Sequence, residues 1–193
     1  MMRIITGKAK GVRLATLPGD AVRPTTEMAK EGIFSAIQFD LAGKSFLDLF
    51  AGSGQMGLEA ISRGASTATF VDCSEDSLKI VRKNIEKTGF TAQSRVVRSE
   101  YGEYIKGAAK RGQVFDFVFC DPPYDKDLTA ELIKRILRAG LVKPGGLLMV
   151  EGASPELDGD KIPEAVLESI ANLKQYKFGK SYVTFVRLKE EAV

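Results

Sequence analysis

The chain has no histidine and two cysteines in 193 residues. Without histidine there is no imidazole base, no Ser-His-Asp relay and no histidine-ligated metal, so any chemistry must use carboxylates, backbone groups, tyrosine or a bound cofactor. Cys73 and Cys120 lack the C-x-x-C spacing, which argues against a disulfide framework or structural zinc site and leaves two free thiols. No uninterrupted apolar stretch approaches the ~18 residues of a membrane span. The opening Met1-Met2-Arg3-Ile4-Ile5-Thr6-Gly7-Lys8 lacks a signal peptide's apolar core, so a cytoplasmic location is expected. No internal repeat, linker or low-complexity segment interrupts the chain.

Hydrophobic residues make up 44% and charged residues 27%, the balance of an ordinary globular protein. Against a usual domain size of roughly 100 to 200 residues, the length predicts a single domain over 1–193. The net charge of +3 is unevenly placed: Arg3, Lys8, Lys10, Arg13 and Arg23 stand against Asp20 alone in residues 1–24. The rest of the chain is therefore close to neutral. A basic N-terminal extension on a near-neutral body points to a polyanionic partner, with those five cations as its candidate contacts.

Two short apolar runs, Arg3 to Thr6 and Val12 to Thr16, flank a Gly7-Lys8-Ala9-Lys10-Gly11 turn and predict a small hairpin. After Pro24, a helix capped by Thr25 or Thr26 is expected to reach about Asp40, with Ala29, Ile33, Phe34 and Ile37 on one face. From Ser45 onward, short apolar runs alternate with amphipathic segments, as in a parallel sheet with helical crossovers. Strands are expected at Ser45 to Leu49, Thr67 to Val71, Ser94 to Val97, Phe115 to Phe119 and Leu147 to Glu151. Helices are expected at about Met56 to Arg63, Ser77 to Thr88, Glu100 to Arg111 and Leu128 to Arg138. A helix near Glu164 to Asn172 and two strands, Leu173 to Lys177 and Tyr182 to Leu188, complete a doubly wound α/β domain ending in an antiparallel hairpin.

The first strand of that domain runs into Asp48-Leu49-Phe50-Ala51-Gly52-Ser53-Gly54-Gln55-Met56-Gly57, a G-x-G-x-x-G loop. The first glycine permits the sharp turn, the second lets backbone approach a ligand, and the third lets the helix pack on the strand. The second strand ends at Asp72, where a carboxylate can accept the hydroxyls of a ribose. Leu58 and Glu59 after Gly57 exclude a Walker A phosphate loop. Between a dinucleotide and S-adenosylmethionine, Asp48 favours the latter, because a carboxylate suits an amino group and a sulfonium and repels a pyrophosphate. The alternative for Asp48 is a carboxylate satisfied by backbone N–H groups at the helix start.

The fourth strand runs directly into Asp121-Pro122-Pro123-Tyr124. Ligands of open α/β sheets bind beyond the carboxyl ends of the strands near the switch in strand order, so this corner is expected to face the glycine loop. Two prolines fix φ and remove two donors, leaving a stiff corner that accepts hydrogen bonds. If Asp121 and the Pro122 carbonyl accept both protons of a nucleobase amine, its lone pair is held toward sp3 geometry and aimed at a methyl group. Tyr124 then stacks on the base. As a proline turn alone this segment is bland; its coupling to the glycines and Asp72 gives it meaning.

Together, Arg3-Ile4-Ile5-Thr6-Gly7, Arg23-Pro24-Thr25-Thr26, the Asp48-to-Gly54 run, Gly57-Leu58-Glu59-Ala60 and Asp121-Pro122-Pro123-Tyr124 resemble the RsmD-type bacterial methyltransferases. These modify the N2 of a guanine in small-subunit (16S) ribosomal RNA using S-adenosylmethionine. The resemblance runs from Arg3 to about Leu188. It implies a class I S-adenosylmethionine-dependent methyltransferase (Rossmann-like) fold, with a seven-stranded, mostly parallel sheet, an antiparallel last strand and the basic hairpin and helix before it. It also implies that Asp48, Ala51, Gly52, Ser53, Gly54, Gly57 and Asp72 line the cofactor, that Arg23 and Thr25 border it, and that Asp121 to Tyr124 hold the guanine, with Asp121 also among the cofactor contacts. The third strand is followed by Ser99-Glu100-Tyr101 where the family carries an Asp-Ala pair meeting adenine, so the adenine contact is left between Ser99 and Glu100. The helix after Thr26 reads Glu27-Met28-Ala29-Lys30-Glu31, less basic than the family pattern.

Cys73 and Cys120, at strand ends, read as small core residues, with Cys73 also placed among the cofactor contacts beside Asp72. Lys79, Arg82, Lys83 and Lys87 read as the solvated face of a helix whose Leu78, Val81 and Ile85 point inward. The expected partner is ribosomal RNA or an assembling small subunit, bound by a monomer without metal. Three rivals remain: an adenine-N6 nucleic-acid methyltransferase, an NAD-dependent oxidoreductase and a non-catalytic RNA-binding factor.

Overall fold

The computed structural model describes residues 2–17, 24–122, 128–152, 163–179 and 181–190. Its seven strands form a mixed sheet in the order β3-β2-β1-β4-β5-β7-β6, and the chain divides into two compact units, residues 1–101 and 102–193.

The first unit holds α1 (Pro24–Ile37), β1 (Ser45–Asp48), α2 (Gln55–Ser62), β2 (Thr67–Asp72), α3 (Glu75–Thr88) and β3 (Ser94–Arg98), with a 3-10 turn at Thr91–Gln93 that the sequence reading missed. β1 pairs parallel to β2, and β2 parallel to β3. Phe46, Leu47, Ala68, Phe70 and Val71 are buried, as parallel strands covered on both faces require. α3 has local signals at both ends. The Ser74 hydroxyl accepts from the Ser77 N–H at 3.2 Å, Glu75 and Asp76 occupy the first turn, and Gly89 ends the helix at φ 76°. Leu78, Val81 and Ile85 are buried while Lys79, Arg82, Lys83 and Lys87 are exposed, as the periodicity predicts.

The second unit contains α4 (Tyr101–Lys110, which starts at the last residue of the first), β4 (Phe115–Cys120), α5 (Leu128–Arg138), β5 (Val142–Gly152), α6 (Glu164–Leu167), β6 (Ile170–Phe178) and β7 (Ser181–Leu188). β4 and β5 are parallel; β7 is antiparallel to both β5 and β6. Leu132, Ile133 and Ile136 form the fully buried stripe of α5.

Several boundaries differ from the sequence reading. The predicted helix over Glu164 to Asn172 ends at Leu167, because Ile170 and Asn172 already pair with Leu188 and Arg187 in the sheet. β5 starts at Val142, five residues early, running through Pro144 and two glycines with a register irregularity opposite Phe115 and Phe117. α1 begins at Pro24, a residue whose fixed φ suits a first helical turn. The expected N-terminal hairpin is reduced to one antiparallel bridge, Arg3 to Arg13. The two runs are also joined by the Ile4 N–H on the Val12 carbonyl, the Leu14 N–H on the Met2 carbonyl and the Gly11 N–H on the Ile4 carbonyl, while the Ile5 and Thr6 N–H groups meet the Glu59 carboxylate of α2. Cys120 is buried as expected but Cys73 is exposed, because β2 stops at Asp72 and Cys73 lies in the turn leading to the Ser74 cap.

Candidate active site

In the first unit the glycine loop is held by the carboxylates the sequence singled out. The Gly52 N–H donates to Asp72 Oδ2 at 2.9 Å, and the Ser74 N–H donates to Asp72 Oδ1 at 2.8 Å. Each carboxylate oxygen carries two lone pairs, so Asp72 can hold the loop and still accept further hydroxyl donors. Asp48, 1% exposed, accepts from the Gly57 N–H at 3.0 Å. That is the helix-start contact weighed as the alternative reading of this residue. The Ala51 N–H donates to the Val71 carbonyl at 2.9 Å and the Ser99 N–H to the Asp72 carbonyl at 3.1 Å. Asp72 thus joins Gly52 and Ser99 at the carboxyl ends of β2 and β3, while Asp48 at the end of β1 holds the start of α2 through Gly57.

The glycines do different things. Gly52 has φ 52°, and a Cβ there would meet nothing within 4 Å among the described residues, so the backbone is open on that side to them. Gly54, at φ 77°, precedes α2, and a Cβ on it would lie 3.3 Å from Phe70. A Cβ on Gly57 would lie 2.3 Å from the Phe70 ring; this is the close helix-to-strand packing that the third glycine was expected to permit. An open cradle at Gly52 beside an acidic strand end is the shape and polarity that fit a ribose-bearing ligand.

Glu100 is exposed and Ser99 half-buried, with its hydroxyl donating to the Glu100 carbonyl at 3.0 Å. The sequence reading overlooked an aromatic pair here: the Phe50 and Tyr101 rings are 5.3 Å apart at 40°. Phe50, between two motif residues, was the available signal.

Arg3, Lys8, Lys10 and Arg13 are exposed, on a segment fastened to α2 by buried charge. Glu59, fully buried, accepts from the Ile5 and Thr6 N–H groups at 2.8 and 3.0 Å and from Arg63 Nε at 2.8 Å. Lys30, 1% exposed, lies 3.6 Å from Glu59 and donates to the Arg3 carbonyl at 2.7 Å. Burial pushes the Lys30 ammonium below its ordinary value, with Glu59 opposing. The Ser62 carbonyl and hydroxyl take the Lys8 and Ala9 N–H groups, and a Cβ on Gly7 would sit 1.8 Å from the Ser62 oxygen. Only a glycine permits that approach. A carboxylate inside the otherwise apolar run Met56, Leu58, Ala60 and Ile61 was a legible sign of a buried partner.

In the second unit, β4 ends at Cys120, Asp121 is exposed and Pro122 buried. Arg23, Pro123 and Tyr124 lie outside the described residues, as does the side chain of Thr25. Among the described residues no group of three or more His, Cys, Asp or Glu is arranged to hold a metal, and no helix is long and apolar enough to cross a membrane.

Comparison with known proteins gives one consistent result. A family described as conserved hypothetical protein 95 matches residues 2–187. The ribosomal RNA small subunit methyltransferase D of Escherichia coli K12 is 33% identical over 150 residues, covering 78% of this chain and 74% of that protein. Its Haemophilus influenzae counterpart is 31% identical over 151 residues, covering 78% of each. Among solved structures, the Escherichia coli yhhF chain aligns with a TM-score of 0.81 at 27% identity, over 98% of this chain and 99% of that one. A hypothetical protein of Thermus thermophilus aligns with a TM-score of 0.78 at 28% identity, over 97% and 100%.

Proposed function

Because the chain belongs to this RsmD-type family, we propose that it transfers a methyl group from S-adenosylmethionine to the N2 amine of a guanine in small-subunit ribosomal RNA. The observation that carries the cofactor half is the Gly52 amide on Asp72, with open space above Gly52.

In this reading Gly52, Ser53 and Gly54 present backbone to the cofactor, Asp72 accepts the ribose hydroxyls, and Ala51, Cys73 and either Ser99 or Glu100 border the adenine. Asp48, besides fixing Gly57, supplies negative potential toward the cofactor's cationic end. Arg23 and Thr25 border the same ligand. S-Adenosylmethionine, when bound, supplies an electrophilic methyl carbon on a positive sulfur, so neither metal nor histidine is needed. Asp121 and the Pro122 carbonyl accept the two N–H bonds of the guanine amine and hold its lone pair out of the ring plane, while Pro123 stiffens the corner and Tyr124 stacks on the base. The amine nitrogen forms the new bond to carbon, the carbon–sulfur pair leaves with sulfur, and one amine proton is released. Lys8, Lys10, Arg13, Arg3 and Arg23 meet phosphates, a role supported by the exposure of the first four and by their concentration on one segment.

The test separates the two halves. Asp121→Ala is expected to abolish transfer with S-adenosylhomocysteine affinity changed by no more than a few-fold, whereas Asp72→Ala is expected to weaken that affinity by tenfold or more. Transfer retained in Asp121→Ala would refute its role. Tight binding of NAD by the wild type, with none of S-adenosylhomocysteine, would overturn the cofactor assignment.

A further inference from the structure

Asn84 is a fully buried side chain in the middle of α3, and no step of the proposed chemistry uses it. Its amide makes three bonds, each to backbone of another segment. Oδ1 accepts from the Ala15 N–H at 2.7 Å, while Nδ2 donates to the Ala15 carbonyl at 3.0 Å and to the Ser53 carbonyl at 2.9 Å. The Ala15 N–H requires an acceptor, which fixes which end of the amide is oxygen, and both amide hydrogens are then spent.

Ser53 stands between Gly52 at φ 52° and Gly54 at φ 77°, the stretch of the loop with most backbone freedom. Fixing its carbonyl therefore fixes the loop. Ala15 lies two residues from the exposed Arg13, on the segment whose other end is fastened to Glu59, Ser62 and Lys30. A second link joins the same two segments, with the Ser53 hydroxyl 3.0 Å from Met2 Sδ. A buried amide tied on one side to the basic arm and on the other to the cofactor loop ties the order of each to the other. Leucine in its place would match the volume and leave Ala15 and Ser53 with three unmet backbone groups in the interior.

We propose that Asn84 is a positioning residue that couples the N-terminal arm to the glycine loop, so that docking of an RNA phosphate backbone on the arm and loading of the cofactor on the loop strengthen one another. The inference rests on the reading that the arm binds RNA and the loop binds S-adenosylmethionine. A ligand that holds either segment in its ordered form has already met part of the ordering cost for the other, and linkage makes the effect reciprocal.

The experiment is a binding cycle on the full chain. Affinity for S-adenosylhomocysteine is measured by calorimetry with and without a saturating unmethylated small-subunit rRNA transcript, and affinity for the transcript with and without S-adenosylhomocysteine. The wild type is expected to show the same enhancement in both directions, about fivefold or more. Asn84→Asp keeps the acceptor for the Ala15 N–H and loses both donors, so it releases Ser53; in it the two ligands are expected to bind independently, with the transcript still binding alone. An enhancement that persists in Asn84→Asp overturns the proposal, as does its absence from the wild type, a comparison that needs no variant to fold. A Lys8→Ala/Lys10→Ala/Arg13→Ala protein marks which premise fails. Unchanged transcript affinity there removes the docking reading and the inference with it, whereas weakened affinity alongside an uncoupled wild type removes the inference alone.

Discussion

Gly52 and Gly57 sit five positions apart in one motif and answer to different physics. A Cβ on Gly57 would drive into Phe70, a fully buried ring, so Gly57→Ala is expected to destabilise the fold by about 1–3 kcal/mol, seen as a lower urea midpoint. Gly52→Ala meets no atom of the described residues but must adopt φ 52°, at a cost of about 1 kcal/mol, and its larger effect is expected on S-adenosylhomocysteine affinity. If the two variants lost stability and affinity in equal proportion, the division of labour would be wrong. Cys73 gives a chemical readout of the same place: it is an exposed thiol beside Asp72, whereas Cys120 is buried. Alkylation of the native protein is expected to label Cys73 alone, and S-adenosylhomocysteine is expected to slow it; labelling indifferent to that ligand would move the adenine away from this strand end. These residues were legible because a glycine doublet and a strand-end acid have few other uses together. Asn84 was not, since an asparagine among lysines on an amphipathic helix looks like surface, and the backbone it satisfies comes from 31 and 69 residues away.

At the level of elements, the alternation of strand and helix was readable because each carries its own period or cap, as α3 and α5 do. The misjudged elements were those decided by distant partners. Ile170 to Asn172 has a helix-compatible pattern but pairs with β7, and the N-terminal segment gives its Ile5 and Thr6 donors to α2. That second exchange has a measurable consequence. Glu59 holds two backbone N–H groups, Arg63 and Lys30 in the interior, so Glu59→Ala, which strands buried charge and donors, is expected to cost about 3–5 kcal/mol. A loss below 1 kcal/mol in urea unfolding would mean the segment is loosely held. At the end of β5, burial raises the Glu151 carboxyl above its ordinary range, with the Ser181 hydroxyl opposing. The charged form is thus the costly one in the fold. The carboxyl's contribution is intact below the unfolded carboxylate range and is lost as pH rises through the folded value. Glu151→Gln is therefore expected to raise the unfolding temperature near pH 7 and to leave it nearly unchanged below about pH 4. Equal shifts at both values would contradict burial as the cause.

Across the whole molecule, the excess of positive charge lies in residues 1–24 against a near-neutral remainder, so RNA affinity is expected to fall steeply with salt and the slope to flatten when Lys8, Lys10 and Arg13 are removed. Fold and family were legible because the motifs fall at strand ends in the order the sheet requires. The proposed preference for guanine over adenine was not, because a corner that accepts the two protons of an amine would suit either base. The direct measurement uses S-adenosylmethionine labelled in its methyl group and small subunits from cells lacking the enzyme, followed by digestion and mass analysis of the labelled nucleoside. Label in N2-methylguanosine, lost in Asp121→Ala, is the predicted result; label in N6-methyladenosine, or no label at all, would contradict it.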